Sequence, residues 1–162
     1  MKHIYLVLLL ISLGAWGQQK GLNYQAVILD PNTIIHLQKI VGTGLLQSDA
    51  SFNYSFSLIV TNLTNTPFTN VVLTDNLRNS VPITSDFSVI SNRATGGLNA
   101  NASFNGNSDI NVTLPSSAVS GSSRDTANFV MNLIPRGFSG TLSNIAYVSA
   151  NTKWGTITMQ ST

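Results

Sequence analysis

The sequence predicts an all-β fold, an antiparallel β-sandwich of about seven strands, with a small β-barrel as the alternative. Short runs rich in β-branched and aromatic residues alternate with clusters of Gly, Pro, Asn, Asp and Ser. This alternation is typical of strands joined by turns. The chain contains no glutamate, and no segment shows the apolar stripe of period 3.6 that marks an amphipathic helix.

The clearest strand covers residues 52–61, where large apolar side chains alternate with mostly small polar ones. A period of two puts the apolar set on one face of the strand, and burying each such side chain contributes roughly 1.5–3 kcal/mol. A second β-rich run, residues 68–74, follows a polar break that contains Pro67. We expect residues 52–77 to form the central strand pair of the sandwich.

Further strands are predicted on both sides of this pair. Residues 33–41 form the first of them, with Ile35, Leu37 and Lys39 on one face, and residues 125–133 form the second-best amphipathic strand. The remaining predicted strands are residues 81–84, 87–91, 110–114, 141–150 and 154–159. Residues 92–109, rich in Gly and Asn, are predicted to form a loop.

The first 17 residues have the pattern of a cleaved secretory signal peptide. Lys2 precedes an apolar run, and Ala15 and Gly17 are the small residues expected before a cut at Gln18. A membrane anchor needs about 20 apolar residues, roughly twice the length of this run. We therefore expect a signal peptide at 1–17, a leader strand or arm at 18–32, a sandwich domain at 33–160, and a secreted or cell-surface location without a transmembrane segment.

Composition excludes several classes of chemistry. The chain has no cysteine, which rules out disulfides, Cys-ligated metals and thiol nucleophiles. Charged residues make up 9% of the chain, and removal of Lys2 with the signal peptide leaves one more basic than acidic residue. A nucleic-acid-binding face requires a clustered basic excess, so we expect no nucleic-acid partner.

Three segments carry a family pattern when taken in order. They are HLQK from His36, YSFSLIVTNLTNTPFTNVVLTDNL from Tyr54 and NLIPRGFSGTLSNIAYVSA from Asn132. Together they resemble an Ig-like repeat of exported bacterial proteins, the family called domain of unknown function eleven. The matching positions are Lys39, Thr61, Asn62, Asn70, Val71, Thr74, Asp75, Leu77, Asn144, Ala146 and Val148. The leader GLNYQAVILDP resembles that of many Bacteroidota-type exported proteins. The resemblance covers residues 33–160 and implies an Ig-like β-sandwich; relatives usually carry several repeats and a C-terminal sorting region.

Catalytic groups are scarce after the signal peptide. His36 is the single histidine there and falls in a predicted strand, and the stretch Gly137–Gly140 lacks the spacing of a nucleophile elbow. The six aspartates fall in separate turns, which provides no carboxylate pair. We expect no enzyme and no cofactor. A secreted hydrolase would require His36 to meet an Asp and a Ser in a cleft.

Lys39, Asp75 and Asn144 give the sharpest hypothesis for a site. In some bacterial surface Ig-like domains, a first-strand lysine and a last-strand asparagine form an intramolecular amide crosslink beside a buried acid. Burial keeps the amine neutral, and the acid polarises the amide. The plain alternatives are that Lys39 extends to solvent, that the Asp75 carboxylate accepts turn N–H groups, and that Asn144 bonds the backbone.

Two further candidate sites lie in the second half of the chain. Asn105, Asn107 and Asp109 offer oxygen ligands for calcium in one loop, but a single carboxylate favours an Asn/Gly turn and no metal. The tripeptide DTA at Thr126 resembles an acceptor motif for O-glycosylation in exported proteins of the same bacterial group.

Taken together, these features predict a non-catalytic structural or adhesive module of an exported bacterial surface protein. Its expected partners are other surface-protein domains or extracellular protein and glycan ligands, contacted through loops such as residues 92–109. The alternative is a carbohydrate- or protein-binding module, which exposed aromatic residues along a groove would support. Trp154 is the one tryptophan that remains after signal removal.

Overall fold

The structure is a computed structural model that describes Asp30 and residues 33–162. The predicted signal peptide and nearly all of the predicted leader lie outside the described residues. The strands are β1 (Ile35–Val41), β2 (Leu45–Leu46), β3 (Phe52–Asn62), β4 (Phe68–Asp75), β5 (Asp86–Ala94), β6 (Ala118–Val119), β7 (Arg124–Ile134), β8 (Ala146–Thr152) and β9 (Gly155–Gln160). A 3-10 helix spans Leu77–Asn79.

Two antiparallel sheets pack against each other and do not close into a barrel, which confirms the all-β sandwich. The first sheet has the order β1-β3-β7-β5, with β2 paired to β3, and the second has the order β6-β4-β8-β9. Strands β2 and β6 have two residues each. The sandwich is therefore built mainly from the other, longer strands, close to the number that the sequence predicts.

Strand β3 lies in the middle of the first sheet, between β1 and β7. The predicted pairing of residues 52–61 with residues 68–74 is wrong, because β4 belongs to the second sheet, where it pairs with β6 and β8. Both strands bury one face against the same core, but they do so from opposite layers of the sandwich. Residues 63–67, including Pro67, connect one sheet to the other instead of forming a hairpin.

Three other predicted strands differ from the structure. Residues 81–84 form a turn, since Pro82 has no N–H to donate and its carbonyl accepts the N–H of Ser85. Residues 110–114 make only isolated bridges at Asn111 and Thr113. The strand predicted at 141–150 begins at Ala146. The strands predicted at 33–41, 87–91, 125–133 and 154–159 are confirmed as β1, β5, β7 and β9, with shifted ends.

The core between the sheets includes a cluster of aromatic rings. Phe56 of β3 stacks on Phe129 of β7 with ring centroids 4.7 Å apart. Phe104, from the segment predicted as a loop, packs its edge on Phe129 at 5.0 Å. Leu98 of the same segment is also buried. Residues 95–109 are thus irregular in backbone but contribute side chains to the core.

At one edge of the sandwich, Ser161 and Thr162 connect the two sheets. The N–H of Thr162 donates to the carbonyl of Leu37 at 3.1 Å, and the N–H of Lys39 donates to the carbonyl of Thr162 at 3.3 Å. This pair of bonds is the pattern of a parallel bridge. The N–H of Ser161 donates to the carbonyl of Ala146 at 2.8 Å, which brings β1 close to β8.

A matched pair of leucine truncations tests the core. Leu58 is 0% exposed and Leu46 is 67% exposed. Replacing Leu58 by Ala should lower the free energy of unfolding by about 2–5 kcal/mol, because a buried side chain is lost and a cavity remains. Replacing Leu46 by Ala should change it by less than about 0.5 kcal/mol. Urea unfolding followed by tryptophan fluorescence measures both, and equal losses would contradict the observed layer order.

Candidate functional site

Lys39 points into the sandwich instead of toward solvent. It continues the inward face of β1 that Ile35 and Leu37 begin, both of which are fully buried. Only 4% of its side chain is exposed. Its ammonium group lies 5.0 Å from the centre of the Phe56 ring, within the range of a cation–π contact. The alternative in which Lys39 extends to solvent is therefore wrong.

Asp75 lies at the end of β4, opposite Lys39, with a side chain that is 0% exposed. Its Oδ2 accepts a hydrogen bond from Lys39 Nζ at 2.5 Å, and its Oδ1 accepts one from Asn144 Nδ2 at 2.8 Å. The Asp75 carboxylate thus accepts hydrogen bonds from two side chains instead of turn N–H groups. The structure brings together the three residues that the sequence singled out.

Strand register explains how three distant segments meet. Lys39 pairs with Leu58 across β1 and β3, whose inward faces point to the second sheet. Asp75 pairs with Ala146 across β4 and β8. Asn144 comes two residues before Ala146, in the irregular segment that leads into β8, so its side chain can turn to the Asp75 carboxylate.

Burial shifts the pKa values of both charged groups toward their neutral forms. Loss of solvation lowers the pKa of Lys39 below its ordinary value of 10.5, although attraction to Asp75 opposes the change. Loss of solvation likewise raises the pKa of Asp75 above 3.8, against the attraction of Lys39 and the hydrogen bonds from Lys39 and Asn144. The two shifts together reduce the cost of moving one proton from the amine to the carboxylate.

A cavity of about 400 Å³ opens beside this cluster. Asn144, Tyr54, Phe56 and Leu142 are among the residues that line it. The cluster therefore has a dry side, where Lys39 and Asp75 are enclosed by the core, and a side at Asn144 that small molecules can reach.

Asn62 is a second buried polar residue, and it fixes the connection between the sheets. Its Oδ1 accepts hydrogen bonds from the N–H and hydroxyl of Thr64 at 2.9 and 2.8 Å. Its Nδ2 donates to the carbonyls of Thr66, Ser120 and Val119 at 2.8, 3.0 and 3.3 Å. The sequence marks Asn62 as the end of a strand, but these long-range partners can be seen only in the fold.

The candidate calcium loop uses its oxygens internally. Asn105 Oδ1 accepts the N–H groups of Asn107 and Asp109 at 2.9 and 3.1 Å. The two carboxylate oxygens of Asp109 accept hydrogen bonds from the Asn111 N–H and the Asn101 amide, both at 3.0 Å. These bonds are those of an Asn/Gly turn. Over the described part of the chain, no group of three or more His, Cys, Asp and Glu side chains could hold a metal ion.

The other residues predicted from the sequence lie away from the cluster. Thr126 is half-buried in β7, opposite Ile59 of β3, and is not at a loop tip. His36 is exposed on the outer face of β1, with its Nε2 3.4 Å from the hydroxyl of Thr162. Trp154 packs partly against the core, and Lys153 Nζ lies 4.5 Å from the centre of its ring.

No protein-family model matches this chain, and no curated protein matches it significantly. The resemblance to the Ig-like repeat family stays a prediction. Within residues 33–162, no helix is long and apolar enough to cross a membrane.

The anchoring role of Asn62 can be tested by replacing its amide with a carboxylate of nearly the same shape. Asn62→Asp puts a carboxylate oxygen where the amide donates to three carbonyls, so the free energy of unfolding should fall by about 3 kcal/mol or more. Asn107→Asp makes the same change at an exposed position and should have little effect. Thermal and urea unfolding of both variants measure the difference. Equal stability of the two would contradict the anchoring role.

The raised pKa of Asp75 predicts a pH dependence of stability. The folded protein keeps a proton on this carboxyl at pH values where the unfolded chain, with its ordinary pKa of 3.8, has released it. The stabilising contribution is therefore present below pH 3.8 and is lost as pH rises through the raised folded-state pKa. The difference in unfolding free energy between the wild type and Asp75→Asn should fall with rising pH in this window. If the difference in unfolding free energy instead rises with pH, the pKa of Asp75 is not raised in the folded protein.

Proposed function

We propose that this chain is a structural or adhesive module of an exported bacterial cell-surface protein, an Ig-like domain that acts as a non-catalytic spacer or interaction domain. The observation that carries the proposal is the buried Lys39–Asp75–Asn144 cluster between the two sheets. It joins the first described strand to the segment before β8, and so connects distant parts of the chain in the interior. Such a connection suits a domain that must keep its shape under strain.

The sequence supports the exported location. Residues 1–17 have the order of a basic start, an apolar run and small residues that a secretion signal requires. The absence of cysteine fits this setting, because the interior is held by packing and by polar clusters and needs no disulfide. Partners would be neighbouring domains of a surface protein, or extracellular proteins and glycans that contact the loops.

A binding module is the second candidate, and the cavity beside Asn144 favours it. Its volume of about 400 Å³ lies within the usual range of small-ligand pockets, and Tyr54 and Phe56 give it aromatic walls. Trp154 supports this candidate less, because Lys153 and the core already contact its ring.

Export is tested by expressing the full chain in a Bacteroidota host, followed by cell fractionation and protease treatment of intact cells. The wild type should lose residues 1–17, leave the cytoplasm and become accessible to the protease. Leu9→Arg interrupts the apolar run and should stay uncleaved in the cytoplasm. Leu63→Arg, at a side chain 51% exposed, serves as the matched control and should be exported. A wild type that remains full-length in the cytoplasm would overturn the proposal.

Binding to a glycan array distinguishes a spacer domain from a glycan-binding module. Ser143→Trp fills the cavity from its rim, whereas Ser116→Trp adds the same bulk at an exposed site elsewhere. A binder should give a glycan signal that Ser143→Trp abolishes and Ser116→Trp keeps. A spacer should give no signal that depends on the cavity.

A further inference from the structure

We propose that Lys39 and Asn144 react within the folded domain to form an intramolecular amide bond, and that Asp75 moves the protons for this reaction. The geometry that points to it is the placement of both nitrogens on one carboxylate. Lys39 Nζ bonds Asp75 Oδ2 at 2.5 Å, and Asn144 Nδ2 bonds Asp75 Oδ1 at 2.8 Å. The inference concerns the chemistry of the domain and holds whether or not the chain is exported.

The surroundings favour the reactive forms of both partners. An amine attacks a carbonyl carbon only when it is neutral, and an acid assists only when it carries a proton. Burial disfavours the charges on Lys39 and Asp75, and both pKa values shift accordingly. The Phe56 ring near the amine keeps one side of the cluster apolar, which limits the water that would solvate an ammonium group.

The bond changes balance without any further reactant. The lone pair of Lys39 Nζ attacks Cγ of Asn144, and a C–N bond forms. Asp75 Oδ2 accepts the proton that Nζ loses, while Oδ1 passes its proton to Nδ2. The Cγ–Nδ2 bond then breaks and ammonia leaves, so Asp75 ends with the same number of protons as it had at the start. Nothing is oxidised or reduced.

The position of the cluster suits a reaction of this kind. Holding amine, acid and amide together in one site replaces encounters between separate molecules, which accelerates a reaction of otherwise unreactive groups. Asn144 lies on the wall of the cavity, which gives the released ammonia a path away from the amide. The other lysine among the described residues, Lys153, is exposed, so we expect no amide bond to form there.

The resulting bond would join the two sheets covalently. Lys39 belongs to β1 of the first sheet, and Asn144 precedes β8 of the second. The bond would enclose residues 40–143 in a closed loop, so that unfolding could no longer separate β1 from β8.

Intact mass spectrometry of the purified, denatured chain tests the proposal. The wild type should be lighter than its sequence mass by one molecule of ammonia. Lys39→Ala and Asn144→Ala should each have the full sequence mass, and Asp75→Asn should lose the ammonia slowly or not at all. The controls Lys153→Ala and Asn107→Ala, with the same substitutions at exposed positions, should lose it as the wild type does.

Tryptic digestion locates the bond. An acylated Lys39 resists trypsin, so residues 21–78 should appear as one peptide joined to residues 137–153, and fragmentation should place the link at Lys39 and Asn144. A folded wild type that retains its full mass overturns the proposal. A loss of ammonia that is as large in Lys39→Ala as in the wild type also overturns it, because the loss then comes from cyclisation of an asparagine or of an N-terminal Gln18. The wild-type spectrum and peptide map decide the matter even where Asp75→Asn fails to fold.

Discussion

A pair of ionisable groups enclosed between two sheets sets the main constraint on this domain. Lys39 and Asp75 are almost completely removed from solvent, and each is tolerated there because the other is present. A buried charge without a partner is strongly unfavourable, so β1 and β4 can pack only in the register that brings the two groups together. Asn144 adds a third fixed point, because it bonds the remaining carboxylate oxygen. The positions of β1, β4 and the segment before β8 therefore depend on one another.

Asparagine side-chain amides satisfy many of the backbone N–H and C=O groups that helix caps and regular turns satisfy in other folds. Asn62, at the end of β3, holds the connection between the sheets with bonds to Thr66 in the linker and to Ser120 after β6. Asn101 and Asn105 organise the irregular segment that carries Phe104 into the core. Because asparagine side chains bond the backbone of these connections, an asparagine-rich chain can fold as a sandwich with long irregular connections. Asparagine can both donate and accept, and so satisfies backbone groups that no strand partner reaches.

The sequence predicted the strands well where one face is continuously apolar. Burial alternates over the whole length of β7. In β3, Phe56, Leu58 and Val60 are buried as the period of two predicts, but Ile59 on the other face is buried as well. It predicted the partners of the strands poorly. Periodicity shows that β3 and β4 each have an apolar face, but it contains no information on whether they share a sheet or face each other.

The same limit applied to the Lys39–Asp75–Asn144 cluster: its residues could be predicted from the sequence, but their contact could not. The residue types of Lys39, Asp75 and Asn144, and their order in the chain, were sufficient to state the hypothesis of a reactive group. Their contact depends on the register of β1 with β3 and of β4 with β8, which is set by packing across the core. Single apolar side chains from irregular segments, such as Phe104 and Leu98, could not be predicted because no pattern surrounds them.

The parallel bridge between Thr162 and β1 has a mechanical consequence. When two neighbouring strands run in the same direction, tension applied to the start of one and the end of the other slides them along each other. The bonds between Thr162 and the backbone of Leu37 and Lys39 are then strained simultaneously, whereas a hairpin pulled from its open end would lose its bonds one after another. Pulled between Thr33 and Thr162, the domain would therefore resist in shear, and the first barrier to extension would lie at the edge next to Lys39.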